Sequence, residues 1–148
     1  MLAAATGGIA AGFTIDRSIV ALTAWRQLGA EAWAAFSRRA DLGRGLVLYP
    51  AVGVSTWLLS LATAASYAIQ DGPSAAAVAV YSAAGLSLLP AIATARAAPN
   101  MLKVRRTEVV EELSLALTRF TRWNHVRAAC QTLCFAANIW ALVALLSS

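Results

Sequence analysis

The basic residues of this chain are confined to two blocks, and the long segment between them is almost free of charge. All twelve Lys and Arg residues lie within 17–44 or 96–127, and between Gly45 and Ala95 the one charged side chain is Asp71. Cytoplasmic loops of membrane proteins accumulate Lys and Arg, whereas spanning segments avoid them. The pattern predicts two cytoplasmic loops and four membrane spans, with both termini and the Asp71 turn on the opposite side of the bilayer.

Composition favours the same interpretation. The 148 residues are 59% hydrophobic and only 13% charged, whereas a soluble domain averages about 25% charged residues. A net charge of +5 is also compatible with nucleic-acid binding, but such proteins spread Lys and Arg along a polar face. Here the basic residues bracket apolar stretches, so we expect membrane lipids as partners and no nucleic acid.

A bilayer core of about 30 Å needs about 20 helical residues, which predicts a single transmembrane domain, 1–148, with spans at about 2–25, 45–69, 73–95 and 123–146. The first span lacks the basic start of a signal peptide, and Asp16 and Arg17 follow its apolar run directly, so we expect it to be retained. Asp71-Gly72-Pro73 predicts a tight turn between spans two and three.

The two basic connections have helical character. Trp33 and Phe36 predict a short helix over 31–39 at the membrane interface, with both aromatic rings in the headgroup layer. Apolar residues at helical spacing predict a second helix over 107–122, which either continues into span four or joins it through a bend. The predicted fold class is therefore all-α: an integral membrane four-helix bundle with short interfacial helices between spans one and two and between spans three and four.

Polar residues form one stripe on each of two spans. Such stripes face other helices, because lipid-facing positions do not carry amides or an Arg. Pro90, with Gly85 before it, predicts a kink in span three that leaves a pocket beside it. The stripe of span two contains Tyr49, Gly53, Thr56, Ser60, Thr63 and Tyr67, and that of span four contains Asn124, Arg127, Gln131, Cys134 and Asn138.

Ionisable groups within the spans mark the candidate site. Intramembrane charges usually face the bundle interior or a water-filled cavity. We expect a polar cluster in the half of the bundle nearest the basic loops, where an Asp–Arg ion pair between spans one and four is the purely structural alternative. With one His and two Cys residues the chain has too few ligands for a zinc site, so no metal is expected. The expected cluster contains Asp16, Arg17, Asn100, Asn124 and Arg127.

Two short motifs resemble a known family. Pro99-Asn100 closes span three and Trp123-Asn124-His125-Val126-Arg127 opens span four, while residues 40–46 lead into Tyr49-Pro50. This order and spacing resembles the anthrone oxygenase-like family of small four-span membrane proteins. The resemblance implies an O₂-dependent oxidoreductase that needs no metal or flavin cofactor and acts on a hydrophobic phenolic or polyketide substrate.

The implied chemistry assigns roles to the candidate residues. An anthrone has an acidic methylene group, so the reaction needs a base, donors for the resulting oxyanion and a dry aromatic slot. The resemblance implies His125 or Asp16 as the base and Arg127 and Asn100 as the donors. The expected substrate-binding residues are Trp123, which forms a wall, and Asn124, Arg17, Gln131 and Tyr49.

Two other functions stay open. One is a non-catalytic membrane scaffold or accessory subunit whose buried polar cluster locks the helices, and the other is transport by a homo-oligomer. Gly8 and Gly12 permit close helix contact either within the chain or between copies. An enzyme predicts a closed cavity that touches Asp16, Asn100 and Arg127 together, a scaffold predicts tight pairing without a void, and a pore predicts a path past Tyr67 and Asn138.

Overall fold

The computed structural model describes residues 1–70 and 74–147, and nearly all of them are helical. Within these residues there is no strand, so the predicted all-α class is confirmed. The predicted turn Asp71-Gly72-Pro73 lies outside the described residues. The helices are α1 (Leu2–Asp16), α2 (Leu22–Leu28), α3 (Ala30–Arg39), α4 (Gly45–Ile69), α5 (Ser74–Leu86), α6 (Leu89–Lys103) and α7 (Val110–Leu146).

Three helical stretches of the described residues are long and apolar enough to cross a membrane, judged by length and composition: Ala30–Ile69, Ala76–Lys103 and Val110–Leu146. The N-terminal stretch α1–α2 is not among them, and Asp16 and Arg17 interrupt its apolar run. The surface of the bundle agrees with a lipid environment. Leu58, Val78 and Leu133 are each more than half exposed, and a soluble monomer rarely presents so extended an apolar surface to water.

The connections on either side of α2 and α3 are tight. Arg17–Ala21 forms a π-helical turn between α1 and α2, whereas Ala40–Arg44 forms a kinked turn between α3 and α4, in which the Gly43 backbone is not helical (φ −93°, ψ −117°). Gly29 separates α2 from α3 with a φ of 95°, a conformation that Gly adopts without steric penalty. The chain therefore folds back at Gly29 and carries α3 onto the neighbouring helices.

The helix of predicted span three is broken, as Pro90 and Gly85 predicted. α5 ends at Leu86 and α6 begins at Leu89. Pro90 lies in the first turn of α6, where a backbone N–H would have no intrahelical partner, so the proline is tolerated there. α6 then continues through Pro99 to Lys103, beyond the predicted end of the span near Ala95.

α7 is the central element. It has 37 residues, so it is about 55 Å long and exceeds the hydrocarbon thickness of a bilayer. It packs against α1, α3, α5 and α6. Of the two alternatives for residues 107–122, the structure shows the first: the helix begins at Val110 and continues into predicted span four without a break.

Two apolar cores form at opposite ends of the bundle. The core beside the basic connections contains Trp33, Leu117 and Phe120, and the core at the far end is rich in Ala and contains Tyr67 and Val80. Trp33 is fully buried, with its ring centroid 5.7 Å from that of Phe120. That Trp33 lies at the level of the headgroups stays a prediction. Within the fold its ring contacts protein and not the surface, because α3 packs on α7.

The two basic blocks meet at one end of the fold. Arg38 donates hydrogen bonds to the carbonyl oxygens of Val104 (3.0 Å) and Thr107 (2.8 Å). In the opposite direction, Arg105 donates to the carbonyl oxygen of Leu42 at 2.8 Å. Residues that are far apart in sequence are thereby joined, and both basic connections lie on the same side of the helices between them.

Candidate functional site

A cavity of about 680 Å³ lies between α4 and α6. α4 packs on α1 and α5, whereas α6 packs mainly on α7, so the two helices stand apart and leave this space. Leu48 and Val54 on α4 line the cavity and are about half exposed, so the cavity opens sideways. Most of the wall is apolar, and the polar side chains in it are Thr14, Asp16, Arg17, Asp41, Tyr49, Thr56, Trp57, Ser87, Thr94, Arg127 and Gln131.

Arg17 forms an ion pair with Asp41 at one end of the cavity, and both side chains are almost completely buried. Arg17 begins the π-helical turn Arg17–Ala21, and Asp41 lies in the kinked turn Ala40–Arg44. A π-helical turn widens the helix, and such turns often occur at functional sites. The pair thus ties the end of α1 to the start of α4.

Three aromatic rings surround the Arg17 guanidinium. Its Cζ atom lies 5.4 Å from the ring centroid of Trp25, 5.5 Å from that of Tyr49 and 5.1 Å from that of Phe120. A guanidinium within about 6 Å of a ring face is attracted by the ring quadrupole. Aromatic rings from α2, α4 and α7 therefore stabilise the buried positive charge of Arg17.

A second arginine reaches the cavity from α7. Arg127 donates a hydrogen bond from Nη2 to Asn124 Oδ1 at 2.6 Å, and Asn124 Nδ2 donates to Ser18 Oγ at 2.8 Å. Asn124 is fully buried. Its hydrogen bond to Ser18 joins α7 to the turn Arg17–Ala21. Its two hydrogen bonds orient the Arg127 side chain that lines the cavity.

Several buried polar atoms at the cavity have no hydrogen-bond partner among the residues that the structure describes. These atoms are Arg17 Nε, Arg127 Nε, Trp57 Nε1 and Asp41 Oδ1. A buried polar group without a partner is unfavourable by about 1–3 kcal/mol. Three of the four are N–H donors, and two of those belong to cations. The cavity is therefore suited to a ligand that is apolar over most of its surface and carries an anionic oxygen at one end.

Five of the predicted site residues line this cavity: Asp16, Arg17, Tyr49, Arg127 and Gln131. Asp16 is exposed, and among the described residues the ion pair with Arg17 is made by Asp41. The predicted clip between spans one and four therefore does not form with Asp16. Adjacent helical residues point in different directions, so Asp16 and Arg17 do not share a face.

The other four predicted residues lie elsewhere. Asn124 sits behind Arg127, as described above. His125 is exposed on α7 and does not line the cavity. Trp123 is partly buried, and the Arg96 Cζ atom lies 6.0 Å from the centroid of the Trp123 ring. Asn100 is buried on α6, where its Nδ2 donates to the Arg96 carbonyl oxygen at 3.3 Å.

The expected cavity is thus present in part. It occupies the half of the bundle next to the basic connections and touches Asp16 and Arg127, but it is open sideways and does not include Asn100. Tyr67 and Asn138, expected along a pore, do not line it. Asn138 instead accepts a hydrogen bond from Ser60 Oγ at 3.1 Å, which joins the polar stripes of α4 and α7.

Sequence reasoning missed Asp41 and the aromatic residues Trp25, Trp57 and Phe120. Asp41 stands in a basic block between Arg39 and Arg44, where a single carboxylate resembles an ordinary loop charge. Its burial was the missing information. The local signal of a close approach is Gly45, four residues further on, where a Cβ atom would lie 2.9 Å from the Ala40 carbonyl oxygen.

No group of three His, Cys, Asp or Glu side chains in residues 1–70 and 74–147 is arranged to hold a metal ion. No family model matches the sequence, and neither a curated protein nor a solved structure matches it. The resemblance to anthrone oxygenase-like proteins therefore stays a prediction, and the case for function rests on the cavity.

Proposed function

We propose that this protein is an integral membrane protein with four spans, in which α1 and α2 together form the first. The proposed cytoplasmic face carries both basic blocks, and the termini lie on the other side. Two observations support this topology: Arg38 and Arg105 join the two blocks at one end of the fold, and three further helical stretches have the length and apolarity of spans.

We further propose that it is an oxidoreductase that uses O₂ without a cofactor to oxidise a hydrophobic aromatic molecule. The observation that carries this proposal is the apolar cavity with Arg17 and Arg127 in its wall. Its volume of about 680 Å³ falls in the range of about 300–1,000 Å³ that is typical of small-molecule sites. Among the described residues, the cavity wall has two cations, Arg17 and Arg127, and one buried carboxylate, Asp41, which favours a ligand that becomes an anion.

An anthrone fits this description and defines the reaction. Removal of a proton from its central methylene places negative charge on the carbonyl oxygen. The resulting enolate transfers electrons to O₂. In the overall reaction the methylene carbon loses two hydrogens and becomes a carbonyl with one atom of O₂, while the other atom leaves as water. The anthrone is oxidised by four electrons and O₂ is reduced by four, so no further reductant is needed.

The cavity residues divide these tasks. Asp16, exposed at the cavity, is the proposed base, because the Asp41 carboxylate is already paired with Arg17. Arg127 is the proposed donor to the oxyanion, since preorganised donors in a dry site stabilise developing charge. His125 and Asn100 have no part in this proposal, because neither lines the cavity.

The test is oxidation of a hydroxylated anthrone by the purified protein in detergent. We expect one molecule of O₂ to be consumed for each anthraquinone formed, with the anthraquinone measured by its visible absorbance. Arg127→Ala should reduce the rate by about 100-fold or more. Arg122→Ala is the control, because Arg122 is exposed on the same helix and does not line the cavity. A folded Arg127→Ala protein with full turnover would contradict the proposal.

One observation favours the alternative of a non-catalytic scaffold. The chain of hydrogen bonds from Ser18 through Asn124 to Arg127, and the pair of Ser60 with Asn138, already join the turn Arg17–Ala21, α4 and α7. Such contacts lock helices whether or not a substrate binds. Stable folding with no binding of any phenolic aromatic to the cavity would favour this alternative.

A further inference from the structure

A second groove, of about 610 Å³, lies at the basic end of the fold on the other side of α6. It is formed by the end of α6, the connection that follows and one face of the first turns of α7. Its floor is the buried Asn100 and Ala116, and Leu115 at its edge is about half exposed. The lining residues are Asn100, Lys103, Arg106, Thr107, Glu112, Leu115, Ala116 and Arg119.

The groove carries three cations and one carboxylate. Lys103, Arg106 and Arg119 are exposed, and none of them forms an ion pair within the described part of the chain. Arg38 and Arg105 at the same end differ, because they donate to backbone carbonyl oxygens and hold the connections together. The basic residues of this end thus include two that hold the fold together and three that face an open groove.

The depth of the groove follows from helix length. About 40 Å of helix separates Arg119 from Leu146 at the end of α7, whereas the hydrocarbon core is about 30 Å thick. With Leu146 near the far interface, Arg119 lies just beyond the near edge of the hydrocarbon, at the level of the lipid headgroups. This step rests on the proposed membrane topology.

We propose that this groove binds the phosphate group of an anionic phospholipid from the cytoplasmic leaflet. Arg and Lys converge on phosphate oxygens with strong charge-assisted hydrogen bonds, and basic pockets between membrane helices on the cytoplasmic side are suited to such headgroups. Leu115 supplies an apolar edge where the acyl chains leave the groove. The Glu112 carboxylate repels a phosphate with a second negative charge and so favours a phosphodiester.

The experiment counts retained lipid by native mass spectrometry. Protein from nanodiscs of phosphatidylcholine and phosphatidylglycerol is released into detergent, and its lipid adducts are identified. We expect phosphatidylglycerol adducts in the wild type and a loss of about fivefold for each basic side chain removed, or about 100-fold for the triple variant K103Q/R106Q/R119Q. The control is R39Q/R44Q/R122Q, which removes three exposed cations near the same end without touching the groove.

Equal retention in the triple groove variant overturns the proposal, and so does an equal loss in the control variant, since that indicates a diffuse charge effect. A parallel arm adds inorganic phosphate to protein in phosphatidylcholine alone. Thermal stabilisation by phosphate without phosphatidylglycerol adducts assigns the site to free phosphate and overturns the lipid source. Anthrone oxidation is measured on the same samples: its absence with intact lipid selectivity contradicts the proposed activity alone, and the converse contradicts the groove alone.

Discussion

At the scale of single residues, Arg17 is the side chain on which the site depends most. It is 8% exposed, pairs with Asp41 and lies among three aromatic rings. Removing a charge from water is unfavourable by several kcal/mol unless it is paired and hydrogen-bonded. The pair and the rings together meet that requirement, while its Nε and that of Arg127 have no hydrogen-bond partner within the described part of the chain.

Replacement of Asp41 by Asn should destabilise the protein strongly, because it leaves the Arg17 cation buried without its counter-charge. We expect a loss of about 3–5 kcal/mol in the free energy of unfolding, measured as a lower melting temperature in detergent. Asp16→Asn is the matched control: Asp16 is exposed and forms no ion pair with a described residue, so its melting temperature should stay near that of the wild type. Equal effects of both changes would contradict the assigned pair.

At the scale of elements, the kinked turn Ala40–Arg44 and the start of α4 depend on a close approach at Gly45. A Cβ atom there would lie 2.9 Å from the Ala40 carbonyl oxygen and 2.8 Å from the Tyr49 ring. The carbonyl belongs to the turn that carries Asp41, and Tyr49 lines the cavity. The absence of a side chain at Gly45 therefore permits both the turn and the position of the ring.

Gly45→Ala should force this turn to shift, because a backbone carbonyl yields less easily than a flexible side chain. We expect destabilisation of about 1–3 kcal/mol, together with weaker binding of an aromatic ligand. Gly53→Ala in the same helix is the control, since a Cβ there would have no described neighbour within 4 Å. Thermal unfolding of the two variants in the same detergent decides, and a Gly45→Ala protein as stable as Gly53→Ala would be incompatible with this account.

At the scale of the whole molecule, charge and chain packing act at the same end. The basic connections carry most of the cations, yet they pack together because Arg38 and Arg105 donate to backbone carbonyl oxygens of the opposite connection. Beneath them lies the core of Trp33, Leu117 and Phe120. The two basic connections and the core beneath them therefore form one packed unit, called here the basic lobe, at one end of the helices.

Arg38→Ala should loosen this lobe, because two carbonyl oxygens, those of Val104 and Thr107, lose their donor. We expect a decrease of about 1 kcal/mol in stability and faster tryptic cleavage after Lys103, Arg105 and Arg106. Arg39→Ala removes the same charge from an adjacent exposed position and should leave the cleavage rate unchanged. Identical cleavage of the two variants would argue against the contacts between the connections.

The proposed topology has its own test with a membrane-impermeant thiol reagent. In a background with Cys130 and Cys134 replaced by Ala, we expect Arg39→Cys and Arg106→Cys to react from the same side of the membrane and Ser147→Cys to react from the other. Reaction of Arg39→Cys and Arg106→Cys from opposite sides would refute the two-loop interpretation. Reaction of all three from one side would remove the fourth span.

Much of the architecture follows from local patterns that a sequence displays directly. Long apolar runs predicted helices, the Pro90 and Gly85 pair predicted the break between α5 and α6, and the stripe on α7 predicted buried Asn124, Gln131, Cys134 and Asn138. These features depend on helical period and on backbone chemistry, which act between near neighbours.

The sequence by itself determined an all-helical chain with apolar stretches of membrane-spanning length and two groups of cations. Only the tertiary structure decided that Arg17 pairs with Asp41 rather than with a partner across the bundle, that Trp33 is buried, and that Asn100 and His125 lie away from the cavity. The physical reason is that an ion pair or a buried ring depends on which distant helices meet, and that depends on how the whole chain packs.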